Sequence, residues 1–242
     1  MPPETLDWSR YDAALFDLDG VITPTAEVHM RAWARMFSDF LAALPGQDPY
    51  TDADYFRYVD GKPRYDGVRS FLASRGITLP EGAPTDPITA QTVCGLGNRK
   101  DALFGEVLER DGVAPYPGSL ALLRQLKEQG TPMAIVSSSR NAPAVLTAAG
   151  IFDYFDTVVS GAVAADLGLA GKPAPDTFLH AASELSSEPD RAVVFEDALS
   201  GVAAGRAGHF GLVVGVDRGA GAAALREHGA EVVVQDLQEL VR

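Results

Sequence analysis

Six short apolar runs, each stopping at a polar or glycine-containing stretch, constrain this chain more than any other feature. The first, Ala13-Ala14-Leu15-Phe16, ends at Asp17-Leu18-Asp19-Gly20. The others are Pro132 to Val136, Thr157 to Val159, Ala192 to Phe195, Gly211 to Val216 and Glu231 to Val234. Unbroken apolar runs of this length suit strands buried on both faces. Helical spacing falls between most of them, at Ser119 to Gln129, Ala142 to Ala149, Pro175 to Glu184, Gly201 to Ala207 and Ala220 to Glu227. The alternation predicts an α/β fold: a Rossmann-like, doubly wound parallel sheet with helices on both faces. In such a sheet, ligands sit beyond the carboxyl ends of the strands.

From Thr25 to about Asp111 the alternation stops, and helical spacing continues without a convincing strand. Met30, Trp33, Phe37, Leu41 and Leu44 fall on one helix face, and Leu96, Leu103, Val107 and Leu108 suggest a second helix. Pro80 to Pro87 reads as a loop. The expected organisation is a core domain of residues 1–24 and 112–242 with an inserted α-helical cap domain at 25–111. Turn formers flank the insertion, as Thr23-Pro24-Thr25 and Gly112 to Pro117. Neither an internal repeat nor a low-complexity tract interrupts the pattern.

Composition removes several classes of function. The formal net charge of −13 disfavours nucleic acid as a partner, because phosphate backbones are held by clustered Lys and Arg. No apolar run approaches the ~18 to 20 residues of a membrane span. Met1 to Tyr11 carries Glu4 and Asp7 and has no apolar segment of the secretory kind. A cytoplasmic protein is therefore expected, and a monomer is the expectation for its assembly. Cys94 is the only cysteine, so an intramolecular disulfide is impossible; it reads as a buried thiol. Asp48, Asp52 and Asp54 read as a solvated face, and Trp33 as a packing residue.

Chemistry concentrates at the predicted strand ends. Asp17 and Asp19, two apart in extended backbone, share a face, and two close carboxylates either share a proton or need a cation. A lone pair of this kind is equally compatible with a solvated turn. Three further signals shift the balance: Ser137-Ser138-Ser139 after Val136, Lys172 in the rigid loop Gly171-Lys172-Pro173 just ahead of the helix of residues 175 to 184, and Glu196-Asp197 after Phe195. Acid, hydroxyl, cation and acid on one edge of a parallel sheet is the layout of a magnesium-dependent phosphoryl-transfer site.

The set Asp17-Leu18-Asp19-Gly20-Val21, Ser137, Lys172-Pro173 and Glu196-Asp197 resembles the four motifs of the haloacid dehalogenase superfamily. The insertion directly after the first motif is similar to that of its β-phosphoglucomutase-like subfamily. So are Thr25-Ala26-Glu27, His29, Arg31-Ala32-Trp33, Gly61, Arg64, Arg99-Lys100, Tyr116-Pro117-Gly118, Ser139, Asn141 and Ala174-Pro175-Asp176. The resemblance implies that Asp17 is the nucleophile, forming an aspartyl phosphate, and Asp19 the general acid/base. It implies Mg²⁺ held by the carboxylates of Asp17 and Asp197 and the Asp19 carbonyl, with Glu196 in the same metal site or just behind it. Ser137 and Lys172 would take phosphoryl oxygens. His29, Gly61, Arg64 and Lys100 would bind the sugar phosphate, and Ser139 and Asn141 with Arg64 would clamp a distal phosphate. Arg64 is read as lying on a loop fixed by Gly61 and Pro63.

Two departures from the subfamily stand out. Pro24 occupies a position where an acid is common, and the cap is longer around Pro45 to Asp54 and Pro80 to Pro87. Two reactions follow from the resemblance. One is isomerisation of β-glucose 1-phosphate to glucose 6-phosphate; the other is hydrolysis of a sugar phosphate or other small phosphomonoester. A non-catalytic binding module is disfavoured, since Asp17, Asp19 and Asp197 are all present.

Overall fold

The computed structural model describes residues 7–242. The expectation about the N-terminal segment falls largely on residues 1–6, outside the described residues. Six strands form one sheet: β1 (Ala13–Phe16), β2 (Met133–Val136), β3 (Thr157–Val159), β4 (Ala192–Glu196), β5 (Leu212–Val216) and β6 (Val232–Val234). Their order is β3-β2-β1-β4-β5-β6, and every pair is parallel. The chain starts at the centre, builds outward through β2 and β3, then crosses back to build the other half from β4. That reversal falls between β1 and β4, and in sheets of this kind ligands sit beyond the strands' carboxyl ends at such a point.

By its contacts the chain separates into two compact units, one of residues up to Thr25 together with Val113–Arg242, the other Ala26–Gly112. The second unit is helical: α1 (Thr25–Ala42, beginning at the boundary), the short α2 (Asp52–Asp54), α3 (Arg64–Ser74) and α4 (Val93–Asp111). Between α2 and α3, Tyr55–Val59 winds as a π-helical turn. Trp33, Met36, Phe37, Leu41, Val59, Val68, Phe71 and Leu96 gather in a core of its own. Leu44, expected on the α1 face, lies past the helix end but still packs against this cluster. Thr92 starts α4 by accepting from the Gly95 N–H at 2.9 Å, and Gly112, at φ +65°, ends it. Pro80 to Pro87 is irregular, as expected.

Asp54 departs from the solvated face expected for it. Its carboxylate closes a capping box with Thr51 and takes Arg75 at 2.9 Å. Trp33 and Cys94 are buried, in line with their expected packing roles.

In the first unit, α5 (Pro117–Gln129), α6 (Ala142–Ala148), α7 (Gly161–Asp166), α8 (Asp176–Glu184), α9 (Leu199–Ala207) and α10 (Ala222–His228) accompany the sheet. The central strands β1, β2 and β4 are buried at every position, which explains their lack of polar alternation. Phe16 and Phe195, paired across β1 and β4, stack with centroids 4.5 Å apart. Among the described residues, no helix is long and apolar enough to cross a membrane.

Candidate active site

The site is assembled from four strand or loop ends of the first unit. Asp17 follows β1, and its N–H donates to the Phe195 carbonyl of β4 at 2.9 Å, so the strand pairing itself fixes its backbone. Glu196 is the last residue of β4 and Asp197 the next. Ser137 follows β2, its N–H donating to the Val159 carbonyl at 3.0 Å. Lys172 comes from the loop ahead of α8, where the Lys172–Pro173 peptide is cis.

Lys172 lies at the centre of this group. Its ammonium donates to Asp17 Oδ1 at 2.6 Å, to Glu196 Oε1 at 2.5 Å and to the Val136 carbonyl at 3.0 Å. It also sits 4.9 Å from the centroid of the Phe178 ring. Burial is the largest influence on the Asp17 carboxyl and pushes it well above the usual carboxylate range. Lys172 pulls it down, while Glu196 and Asp19 add to the upward push. Burial works against the Lys172 charge as well, but Asp17 and Glu196 outweigh it and hold the ammonium above its ordinary range.

One ammonium does not balance this much negative charge. Asp17, Glu196 and Asp197 can each place an oxygen within 4.8 Å of the others. The donors are all carboxylate oxygens, a set suited to a hard divalent cation. Asp19 faces elsewhere: its carboxylate accepts a short hydrogen bond from Thr25 Oγ1 and lies 3.4 Å from Ser137 Oγ. The two acids of the first motif thus have different neighbours, one among carboxylates and an ammonium, the other among hydroxyls.

Past Ser137 the loop folds on its own side chains. The Ser139 N–H donates to Ser137 Oγ at 3.0 Å, and the Asn141 N–H to Ser139 Oγ at 3.2 Å. Asn141 then leads into α6. Asp17, Asp19, Ser137, Lys172, Glu196 and Asp197 are therefore brought together, with Ser139 and Asn141 on the adjoining loop.

The remaining sequence candidates belong to the second unit. Lys100 of α4, 4% exposed, contacts Nδ1 of His29 of α1; an ammonium can only donate, so Nδ1 accepts. The His29 ring stacks on Phe104 at 4.0 Å, and the Lys100 ammonium lies 5.3 Å from the Trp33 ring centroid. Arg64 is not on a loop, as its flanking Gly and Pro suggested. Gly61, at φ +70°, makes the turn, and Pro63 caps the helix that Arg64 begins. The Arg64 guanidinium meets Asp101 Oδ1 at 2.6 Å and Asn98 Oδ1 at 3.5 Å, both on α4.

Two contributors escaped sequence reasoning. Thr25, the partner of Asp19, was visible only as part of a motif match. Gly201 of α9 lies against Glu196: a Cβ built there would overlap the Glu196 carboxylate. Its signal is a glycine inside an alanine-rich helix, where glycine costs about 1 kcal/mol and so calls for a reason.

Comparison with known proteins agrees with this geometry. A family model for haloacid dehalogenase-like hydrolases matches residues 11–209. The chain is 50% identical over 238 residues to a β-phosphoglucomutase of Mycobacterium bovis, covering 95% of this chain and 91% of that one. It is 31% identical over 233 residues to validoxylamine A 7'-phosphate phosphatase of Streptomyces hygroscopicus, covering 95% and 96%. Its fold is similar to a crystal structure of β-phosphoglucomutase from Clostridium difficile, with a TM-score of 0.75 at 25% identity over 95% of this chain and 93% of that one. With the sheet order, the acidic strand ends and a family match over most of its length in agreement, the chain belongs to the haloacid dehalogenase-like hydrolases and is an enzyme.

Proposed function

We propose that this enzyme is a Mg²⁺-dependent phosphotransferase acting on a sugar phosphate through an aspartyl phosphate. Its native reaction is isomerisation of β-glucose 1-phosphate to glucose 6-phosphate. The observation that carries the chemistry is the convergence of Asp17, Lys172, Glu196 and Asp197, with Asp19 two residues from Asp17 but in a different environment. A Mg²⁺ held by Asp17, Asp197 and the Asp19 carbonyl, with Glu196 beside it, would offset the carboxylate charge and polarise the phosphoryl group.

In this reading, Asp17 attacks phosphorus and is released again when the acceptor takes the phosphoryl group. Asp19 gives a proton to the departing oxygen and takes one from the incoming hydroxyl. Its hydrogen bond from Thr25 orients it for both tasks, leaving the Ser137 hydroxyl free to turn to the phosphoryl group. Lys172, exchanging one of its three present acceptors, and Ser137 donate to the phosphoryl oxygens, where charge gathers as the bond breaks. Ser139 and Asn141, with Arg64, take the distal phosphate of a sugar bisphosphate, while His29, Gly61 and Lys100 bind the remainder of the substrate. The 50% identity to a mycobacterial β-phosphoglucomutase supports the mutase over other phosphotransfers. The cytoplasm and a monomeric state complete the proposal.

The deciding assay supplies β-glucose 1-phosphate, a trace of glucose 1,6-bisphosphate and Mg²⁺, and reads glucose 6-phosphate against free phosphate. Formation of glucose 6-phosphate in large excess is the expected result. Free phosphate as the main product would transfer the proposal to the phosphatase reading. That reading has an observation of its own: Arg64 is already engaged by Asp101, and 31% identity links the chain to a phosphatase.

Two variants probe the arrangement further. Arg64→Ala should slow isomerisation by roughly 30-fold, the equivalent of about 2 kcal/mol for losing one charged contact to phosphate. Hydrolysis of p-nitrophenyl phosphate, which has no second phosphate, should stay within about 3-fold of wild type by the same reasoning. Gly201→Ala should raise the Mg²⁺ concentration needed for half-maximal activity, because the new methyl displaces Glu196. The melting temperature should fall as well, because displacing Glu196 loosens its buried bonds to Lys172 and to the Ala198 N–H by more than the ~1 kcal/mol that alanine's helix preference returns. An unchanged Mg²⁺ dependence would separate Glu196 from the metal.

A further inference from the structure

The carboxyl end of β5 carries a polar group that the proposed chemistry does not use. After Val216 come Asp217-Arg218-Gly219. Arg218 reaches back across the sheet edge to the loop that carries Asp19. Its Nε donates to the Gly20 carbonyl at 2.8 Å, its Nη1 to the Gln235 carbonyl just past β6 at 2.9 Å, and its guanidinium carbon lies 4.0 Å from the Tyr116 ring centroid.

The Asp19 loop is otherwise held from within and from one side. Gly20, at φ +87°, donates its N–H to the Thr23 carbonyl at 2.7 Å, and the N–H groups of Ile22 and Thr23 return to Leu18. Thr23 Oγ1 lies 2.7 Å from Thr25 Oγ1, the group bonded to Asp19. The Tyr116 N–H and the Ser119 hydroxyl take the carbonyls of Ile22 and Val21 at 2.9 and 2.6 Å. Among the described residues, the Gly20 carbonyl is claimed by Arg218 and by no backbone N–H.

Arg218 is itself anchored. Asp217 accepts from the N–H groups of Gly219 and Gly221, both at 3.0 Å, and this fixes the turn from which the guanidinium projects. A planar guanidinium can donate to two carbonyls while stacking on an aromatic face, a combination that no other side chain offers. A glycine with positive φ has wide backbone freedom, so the loop after Asp19 gains the most from an external restraint at this point.

We propose that Arg218 is a positioning residue for Asp19: by clamping the Gly20 carbonyl to the ends of β5 and β6 and to Tyr116, it sets the orientation of the acid/base carboxylate. This rests on the reading of Asp19 as general acid. Arg218 touches neither substrate nor metal in this role. Its loss should appear wherever protonation of the leaving oxygen limits the rate.

The test compares p-nitrophenyl phosphate, whose leaving group needs little protonation, with phenyl phosphate, which needs much. Arg218→Met should lower kcat for phenyl phosphate by roughly 10- to 100-fold and that for p-nitrophenyl phosphate by less than about 3-fold, with KM unchanged. Arg218→Lys, which can still reach one carbonyl, should recover part of the loss. It carries the same comparison should the methionine variant fail to fold. Asp19→Asn should show the same leaving-group contrast, and adding Arg218→Met or Arg218→Lys to it should cost nothing further, because both act through one group. Equal losses on both substrates, or losses that add to those of Asp19→Asn, would overturn the positioning role while leaving Asp19 as the acid. Absence of any contrast in Asp19→Asn alone would instead overturn the acid reading and the proposal with it.

Discussion

Asp17→Asn is expected to abolish turnover, with kcat falling by on the order of 10⁴ or more, while the protein keeps its fold. The amide has nearly the shape of the carboxylate but cannot attack phosphorus. The surroundings can absorb the change. The Asp17 backbone is set by its bond to the Phe195 carbonyl, and Lys172 retains Glu196 and the Val136 carbonyl as partners. Because Asp17 is buried among other carboxylates, removing its charge also removes a desolvation cost, so the melting temperature should hold or rise. Circular dichroism, thermal melts and phosphate-release kinetics check each part. A variant retaining a tenth of wild-type activity would rule Asp17 out as nucleophile. Recovery of a phosphoenzyme from Asp17→Asn, with the phosphate on some other residue, would do the same.

Lys172→Met is expected to have the opposite balance, harming stability and rate together. The Lys172 side chain is 1% exposed and is the shared cation of Asp17 and Glu196. Methionine fills much of the volume but leaves two buried carboxylates facing each other. Removing one partner from such a group costs about 3 to 5 kcal/mol, which in a chain of this size lowers the melting temperature by roughly 6 to 20 °C. Turnover should fall by about 10²- to 10³-fold, the scale for losing one preorganised donor to the transferring group. Mg²⁺ in the melting buffer should recover part of the lost stability, since a cation bound only by the folded form relieves the same repulsion. A melting temperature within about 2 °C of wild type would mean that the carboxylates accept protons at little cost and that Lys172 is not their keystone.

The sheet was legible because its strands are buried on both faces. Each apolar run marked its strand to within a residue, and the polar residue ending the run marked the sheet edge where the site lies. α7 left no comparable signal: Gly161–Asp166 is built of small residues with no apolar stripe. α3 did carry one, in Val68, Phe71 and Leu72, but Gly61 and Pro63 drew attention to a loop at Arg64. In the structure Pro63 starts the helix. The grouping of Asp17 with Glu196 could be inferred from strand ends, because topology dictates it, whereas Lys172, on the loop ahead of α8, was legible only through its motif. Partners that tertiary packing supplies could not be: Asp101 for Arg64, Gly201 for Glu196 and Arg218 for Gly20 follow no local spacing.

The position of β1 has a consequence for how the chain is made. Of the six strands the central one is synthesised first, yet its neighbours are Met133–Ile135 and Ala192–Phe195. At the usual ~5 to 20 residues per second, Ala13–Phe16 waits on the order of ten seconds before β2 is complete, and longer for β4. Most of the residues that emerge in the interval are those of the second unit, which have their own apolar cluster to form. Throughout that delay a bare, fully apolar strand edge is open to any chain nearby. Shielding of the nascent strand until its partners arrive therefore bears on yield in the cell alongside the finished protein's stability.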